Sequence, residues 1–279
     1  MTSDSVAGAN APVALKDAEA FIFDMDGVLY RGKQALPGVN EMIAALDARG
    51  IKFLLATNNS MATPAQYVQR MAGYGVSVTE SQIQTSATAT RDFLKRELPD
   101  GAKLLVVGMP ALAEQLQTGT DFVITEDPND DVAAVVAGLD QTFTYDKLTR
   151  ATTAIRNGAR FVATNADATL PVENGVLPGA GTIIAAIATA SGKQPTVVGK
   201  PETLMMTTGV AQLGVHASRT IMIGDRLDTD ILAAQRAGLT TALVLTGVTT
   251  RDDLAGSEVV PDYVFTDLPA MTRELIGAA

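Results

Sequence analysis

Four short runs, AFIFD at 20–24, IKFLLATN at 51–58, RTIMIGD at 219–225 and TTALVLTG at 240–247, are apolar at nearly every position instead of at alternate ones. A strand with one wet face alternates, whereas a strand that is apolar throughout is buried on both faces, the pattern of a parallel sheet covered by helices on either side. The stretches between supply those helices: GVNEMIAALDARG at 38–50, PAQYVQRMAGYG at 64–75, PETLMMTTGVAQLG at 201–214 and LDTDILAAQRAG at 227–238. Pro and Gly stand where helices start and stop. The fold class expected is α/β, a Rossmann-like doubly wound parallel sheet.

A middle segment has the same texture, with KLLVVG at 103–108, VAAVVAGL at 132–139 and ARFVATN at 159–165. It reads either as more of one sheet or as a second α/β domain inserted into the first. Pro99, Asp100 and Gly101 offer one joint and SGKQP at 191–195 the other, dividing the chain into a core of 1–98 and 195–279 and an inserted unit of 99–194.

In an open parallel sheet, ligands bind outside the carboxyl ends of the strands. Asp24, Thr57 with Asn58, and Asp225 each close one of the apolar runs and would open on one crevice. Carboxylates converging there repel by several kcal/mol at about 4 Å unless positive charge sits between them. A hard divalent cation such as Mg²⁺ meets that need and leaves room for a phosphate. Asp24 is placed to be a nucleophile and Asp26 a general acid and base, with Gly27 allowing the chain to turn away. Thr57 offers a hydroxyl and Asn58 an amide to phosphate oxygens. Lys200 in VVGKPET follows a strand, begins a helix through Pro201, and carries the ammonium that would stabilise a transferring phosphoryl group. Asp228 and Asp230 fall on the first turn of a helix, where Asp also serves as a cap.

Composition removes competing chemistries. There is no cysteine, so thiolate nucleophiles and Cys-ligated zinc are excluded, and the single histidine, His216, cannot supply a two-histidine site. A net charge of −10 argues against nucleic acid as a partner. The N-terminal MTSDSVAGANAPVA reads as a disordered lead-in without signal-peptide features, and the most apolar window, TIIAAIATA at 182–190, is too short to span a bilayer. A cytoplasmic protein with no membrane partner is the expectation.

Taken in order, DMDGVLYRG, ATNNS, VGKP and GDRLDTDI resemble the four motifs of the haloacid dehalogenase superfamily. TNNS, with the long interval before Lys200, resembles its subfamily with an inserted α/β cap, which includes the NagD-type, 4-nitrophenyl phosphate, pyridoxal phosphate and phosphoglycolate phosphatases. The resemblance implies a Mg²⁺-dependent phosphatase of small phosphorylated metabolites, working through an aspartyl-phosphate. It makes Asp24 the nucleophile and a metal ligand, and Asp26 the acid/base whose backbone carbonyl also binds metal. Asp225 becomes a further metal ligand and Asp230 its support. Gly27, Thr57, Asn58 and Asn59 become the phosphate site and Lys200 the positive clamp; Asp228 receives no role. The interval from Asp26 to Thr57 holds only a small hairpin, LYRGKQAL, so the cap lies between Thr57 and Lys200. Within it, FVATNADATLPVENGVLPGAG at 161–181 resembles the substrate-facing segment, with Asn165, Asp167 and Leu170 as the residues that would face substrate. Related capped phosphatases often dimerise through the cap, so a homodimer is a further implication.

The residues leave open a phosphomutase on the same fold, and a regulatory protein that accepts phosphate on Asp24 and keeps it. Asp26 weighs against the second, because a positioned base shortens the life of a phosphoryl-enzyme. The glycines of PGAGT echo a dinucleotide fingerprint but lack the full GxGxxG and its acidic partner.

Overall fold

The computed structural model of the chain describes residues 11–172 and 175–277. Most of the lead-in, residues 1–10, lies outside the described residues, as do Glu173 and Asn174 of the segment read as substrate-facing. Six parallel strands form the larger sheet, in the order Tyr263–Phe265, Thr240–Val244, Thr220–Gly224, Ala20–Asp24, Lys52–Thr57, Ile83–Thr85. The chain enters at Ala20–Asp24, builds outward to one side, and later returns to build outward on the other. The switch point therefore falls between Ala20–Asp24 and Thr220–Gly224, where such sheets open a crevice.

The unbroken apolar runs have the cause their pattern implies. Phe21 and Phe23 face one apolar cluster under the helices Val39–Ala48, Pro64–Gly73 and Leu268–Ile276, while Ala20 and Ile22 face another under Ser86–Glu97 and Thr203–Leu213. Every residue of Ala20–Asp24 is buried. Each large side chain so enclosed contributes roughly 1.5–3 kcal/mol, and a polar residue on either face would forfeit that. The helix Pro64–Gly73 starts as its sequence signals, with Pro at the first position and a reciprocal capping box between Thr63 and Gln66. The hairpin expected in LYRGKQAL is present, pairing Tyr30–Arg31 with Gln34–Ala35.

The middle segment is a second sheet and not an extension of the first. Its five parallel strands run in the order Thr196–Val197, Arg160–Ala163, Val132–Ala137, Lys103–Val107, Val123–Ile124. The helices Tyr145–Arg156 and Ala180–Ser191 cover its outer face. Its inner face, through Leu104, Val136 and Val162, joins the apolar cluster that holds Ile22, Leu54 and Met205 of the core. The return boundary expected at 195 needs correction. Thr196–Val197 is hydrogen-bonded to Arg160–Ala163 of the inserted sheet, so the chain leaves the inserted unit after Val197. Two residues of β-structure carry too little periodicity for that to be legible.

Among the described residues, no helix is long and apolar enough to cross a membrane.

Candidate active site

The strand register delivers the site. Asp24 lies opposite Ala56, and Ile223 opposite Phe23, so Asp24, Thr57 and Asp225 arrive together at the carboxyl edge. After Asp24 the chain doubles back: the N–H groups of Leu29 and Tyr30 donate to Met25 O at 2.8 and 3.2 Å. Gly27 sits in that turn at φ +86°, and a Cβ on it would stand 2.5 Å from an Asp225 carboxylate oxygen. Glycine is thus required both by the left-handed backbone and by the close approach.

Lys200 is buried between two carboxylates. Its Nζ donates to Asp24 Oδ1 at 2.5 Å and to Asp230 Oδ1 at 2.6 Å. The other oxygen of Asp230 accepts the N–H groups of Asp225 and Arg226 at 3.2 and 3.1 Å. Asp230 therefore does what a capping aspartate does and what a supporting carboxylate does, one with each oxygen. The first turn of this helix, Leu227–Ile231, is widened to π geometry, a distortion frequent at functional sites. Asp228 lies outside the cavity, paired with Arg226 at 3.0 Å on the surface.

The electrostatics follow from burial. Burial drives the Asp24 carboxyl well above its ordinary value, Lys200 opposes the rise, and the charges of Asp230 and Asp225 add to it. Asp225 is pushed up to about 7, by burial first and then by Asp230. Burial disfavours the Lys200 ammonium, yet Asp230 and Asp24 outweigh it and hold the group protonated above its ordinary value. Asp24, Asp225 and Asp230 offer oxygens within 4.8 Å of one another, with one ammonium among three carboxylates. The surplus negative charge and the all-oxygen donor set suit a hard divalent cation. Lys200 and two backbone N–H groups already occupy Asp230, so Asp24 and Asp225 are the carboxylates left to bind one.

Asp26 stands at the cavity mouth, exposed to solvent. Partial burial raises its carboxyl from the ordinary value against the pull of Arg70 and Arg31, the direction a general acid requires.

The cavity holds about 570 Å³ and is lined by all the residues expected from the sequence to serve catalysis, metal and substrate: Asp24, Asp26, Gly27, Thr57, Asn58, Asn59, Asn165, Asp167, Leu170, Lys200, Asp225 and Asp230. Side-chain directions differ from expectation at several of them. Thr57 Oγ1 accepts the Asn59 N–H at 3.2 Å, and Asn59 Oδ1 accepts the Met61 N–H at 2.8 Å, so Asn59 shapes the loop. The Asn58 amide, expected to meet phosphate, instead grips the Lys200 backbone: Nδ2 donates to Lys200 O and Oδ1 accepts from Lys200 N–H, both at 2.9 Å. With its N–H and C=O so engaged, Lys200 stays outside the helix, which begins at Thr203 and not at Lys200. Asn165 is buried, it and Asp167 turn toward each other, and Asp167 also turns to Asn58. Leu170 alone of the three cap residues has no polar commitment.

Sequence reasoning missed the arginines that line the mouth. Arg31 donates to Thr246 O and Gly247 O at 2.5 and 3.2 Å. Arg70 donates to Tyr30 Oη at 3.2 Å and lies over the Tyr30 and Tyr67 rings, 5.2 and 5.3 Å from their centroids. Arg31 follows DMDGVLY and Arg226 follows GD, so nearness to a strand end was an available signal for both. For Arg70, on a helix far from any motif, there was none.

Comparison with known proteins places these features among relatives. A family model described as haloacid dehalogenase-like hydrolase matches residues 21–119, and a second, HAD-hydrolase-like, model matches residues 197–271. The acid sugar phosphatase of Staphylococcus epidermidis is 37% identical over 261 residues, spanning 94% of this chain and 99% of that protein. The p-nitrophenyl phosphatase from Archaeoglobus fulgidus superposes with a TM-score of 0.85 at 34% identity, over 92% of this chain and 99% of that one. A glycerol phosphate phosphatase from Mycobacterium tuberculosis, solved in complex with magnesium, superposes with a TM-score of 0.84 at 34% identity, over 94% of this chain and 78% of that one.

Proposed function

The chain belongs to the haloacid dehalogenase-like hydrolases and is a phosphatase of that family, and from that premise we propose that it is a Mg²⁺-dependent hydrolase of small phosphate monoesters working through an aspartyl-phosphate on Asp24. The observation that carries the reading is the buried Lys200 ammonium held between Asp24 and Asp230, with Asp225 beside them, at the carboxyl edge of the sheet. Candidate substrates are sugar phosphates, glycerol phosphate, phosphoglycolate, nucleotides and 4-nitrophenyl phosphate. A cavity of about 570 Å³ accommodates molecules of that size.

In the first half-reaction a carboxylate oxygen of Asp24 bonds to phosphorus as the ester P–O bond breaks. Asp26 delivers its proton to the departing alkoxide. In the second, Asp26 takes a proton from water, the water oxygen bonds to phosphorus, and the bond to Asp24 breaks, releasing inorganic phosphate. Lys200 balances charge on the phosphoryl oxygens, and the Thr57 hydroxyl would donate to one of them. Asp24 and Asp225, with the backbone carbonyl of Asp26, would hold Mg²⁺, which when bound supplies positive charge against the phosphoryl oxygens.

Phosphate release from 4-nitrophenyl phosphate and a panel of small phosphomonoesters, with Mg²⁺ and with excess EDTA, tests the reading. Release that EDTA abolishes is the expected result. No release from any compound, together with phosphate retained on Asp24, would replace the hydrolase by a phosphate acceptor.

The metal assignment has its own consequence at Gly247. A Cβ at this position would overlap the Asp225 carboxylate, whose Oδ2 accepts the neighbouring Val248 N–H at 2.7 Å. Gly247→Ala is expected to weaken Mg²⁺ binding about 10- to 100-fold with the fold retained, read by calorimetric titration alongside circular dichroism.

A further inference from the structure

Asp167 lies in the loop that follows the strand Arg160–Ala163 of the inserted unit, yet its partners lead into the catalytic half. Both of its oxygens accept from Asn58 Nδ2 at 3.2 Å, and Oδ2 also accepts from Asn165 Nδ2 at 2.8 Å. Asn165 is itself fixed, its Oδ1 accepting the Thr164 hydroxyl at 3.0 Å. Asn58 has two N–H bonds to give: one goes to Lys200 O and the other is shared across the Asp167 carboxylate. An ionised carboxylate only accepts, so it dictates which end of the Asn58 amide is nitrogen. The oxygen is then left to meet the Lys200 N–H, and the pair of bonds on either side of Lys200 forms only in that orientation. Space is as tight as the bonding. A Cβ on Gly199 would lie 2.6 Å from Thr164 O and 2.7 Å from Asn58 Oδ1.

We propose that Asp167 is a positioning residue that orients the Asn58 amide across the junction between the two units and thereby holds Lys200 in place, so that seating of the inserted unit and placement of the phosphoryl clamp are one event. This rests on Lys200 serving as that clamp, and it removes Asp167 from the residues that read the substrate's alcohol. A clamp displaced by about an ångström loses on the order of 100-fold in rate, so a hydrogen bond two residues removed from the chemistry has leverage on it.

The test uses the full chain with Asp167→Ala, Asp167→Asn, Asn58→Ala and the Asp167→Ala/Asn58→Ala double variant. Exchange of the Lys200 amide hydrogen, followed by NMR, is expected to accelerate at least about tenfold in Asp167→Ala, because its acceptor on Asn58 is no longer oriented. Unchanged exchange overturns the proposal. Asp167→Asn fits the same space and guards against a folding failure. It puts an NH2 donor where one carboxylate oxygen accepts, against the amide nitrogen of Asn58 or Asn165, so exchange should change in the same direction.

In kinetics, kcat is expected to fall about 10- to 100-fold by a common factor for every phosphomonoester, with KM within about twofold. Whatever small change KM shows should be matched by inhibition by inorganic phosphate, which has no alcohol portion. A KM effect that varies with the alcohol while phosphate inhibition stays unchanged would make Asp167 a substrate contact and overturn the proposal. The double variant should be no slower than Asn58→Ala alone, and additive losses would count against the coupling. If the wild type releases no phosphate from any monoester, the phosphatase reading falls, while the exchange measurement still decides whether Asp167 holds Lys200.

Discussion

Asp24→Asn is expected to lower turnover of every phosphomonoester by about 10⁴-fold or more while leaving the metal-free protein at least as heat-stable as wild type. The activity loss follows from chemistry, because an amide oxygen cannot form the acyl phosphate. The stability expectation follows from burial. Burial, ahead of the opposing Lys200, raises the folded-state pKa of Asp24, so the stability contributed by its neutral form is full in acid and is lost as pH rises through the folded-state value. Above that folded-state value the ionised carboxylate costs stability, and a permanently neutral asparagine of the same shape does not. Lys200 keeps Asp230 as a partner. Thermal melts in EDTA, run beside phosphate-release assays, check both halves. Turnover near wild type would remove Asp24 as nucleophile, and a large fall in Tm would mean that its loss unfolds the site instead of silencing it.

Lys200→Ala acts in the opposite sense on stability. It removes the ammonium between Asp24 and Asp230, leaving facing each other two buried carboxylates that are 9% and 1% exposed. Breaking a buried pair by deleting one partner costs about 3 kcal/mol, roughly 6–12 °C in Tm for a chain of this size. Catalysis should fall about 10²- to 10³-fold, the usual consequence of removing one preorganised donor from a developing anion. Combining the substitution with Asp24→Asn should restore part of the lost Tm, since one of the stranded carboxylates becomes neutral, and should restore no activity. A Lys200→Ala protein that melts with wild type and turns over within tenfold of it would show that neither the ion pairs nor the clamp matter as argued.

Both expectations use residues that the sequence alone singles out, and the reason is local. A strand apolar at every position must be covered on both faces, and a parallel sheet presents its carboxyl ends at one edge, so AFIFD followed by MDG and RTIMIGD followed by RLDTD placed Asp24, Asp26 and Asp225 together. Gly27 and Pro64 were legible for the same reason, since each answers a backbone requirement set within a few residues. The edge strands Val123–Ile124 and Thr196–Val197 were not, because two residues carry no period.

Side-chain partners at long range were decided only in the tertiary structure. Asn58 and Lys200 are 142 positions apart, Asn58 and Asp167 are 109, and Lys200 and Asp24 are 176. A motif states which functional groups reach the crevice, but not which of them bond to one another when they arrive. That outcome depends on distances and donor counts fixed by packing: an amide with two N–H bonds, a carboxylate that can only accept, and a glycine too close to that amide for any side chain. The sequence by itself determined the sheet, the crevice and the reacting groups, because these follow from local periodicity and turn chemistry. The fold decided that Asn58 grips Lys200 and that Asp167 turns to Asn58, because those choices belong to three-dimensional neighbours that no stretch of the chain brings together on its own.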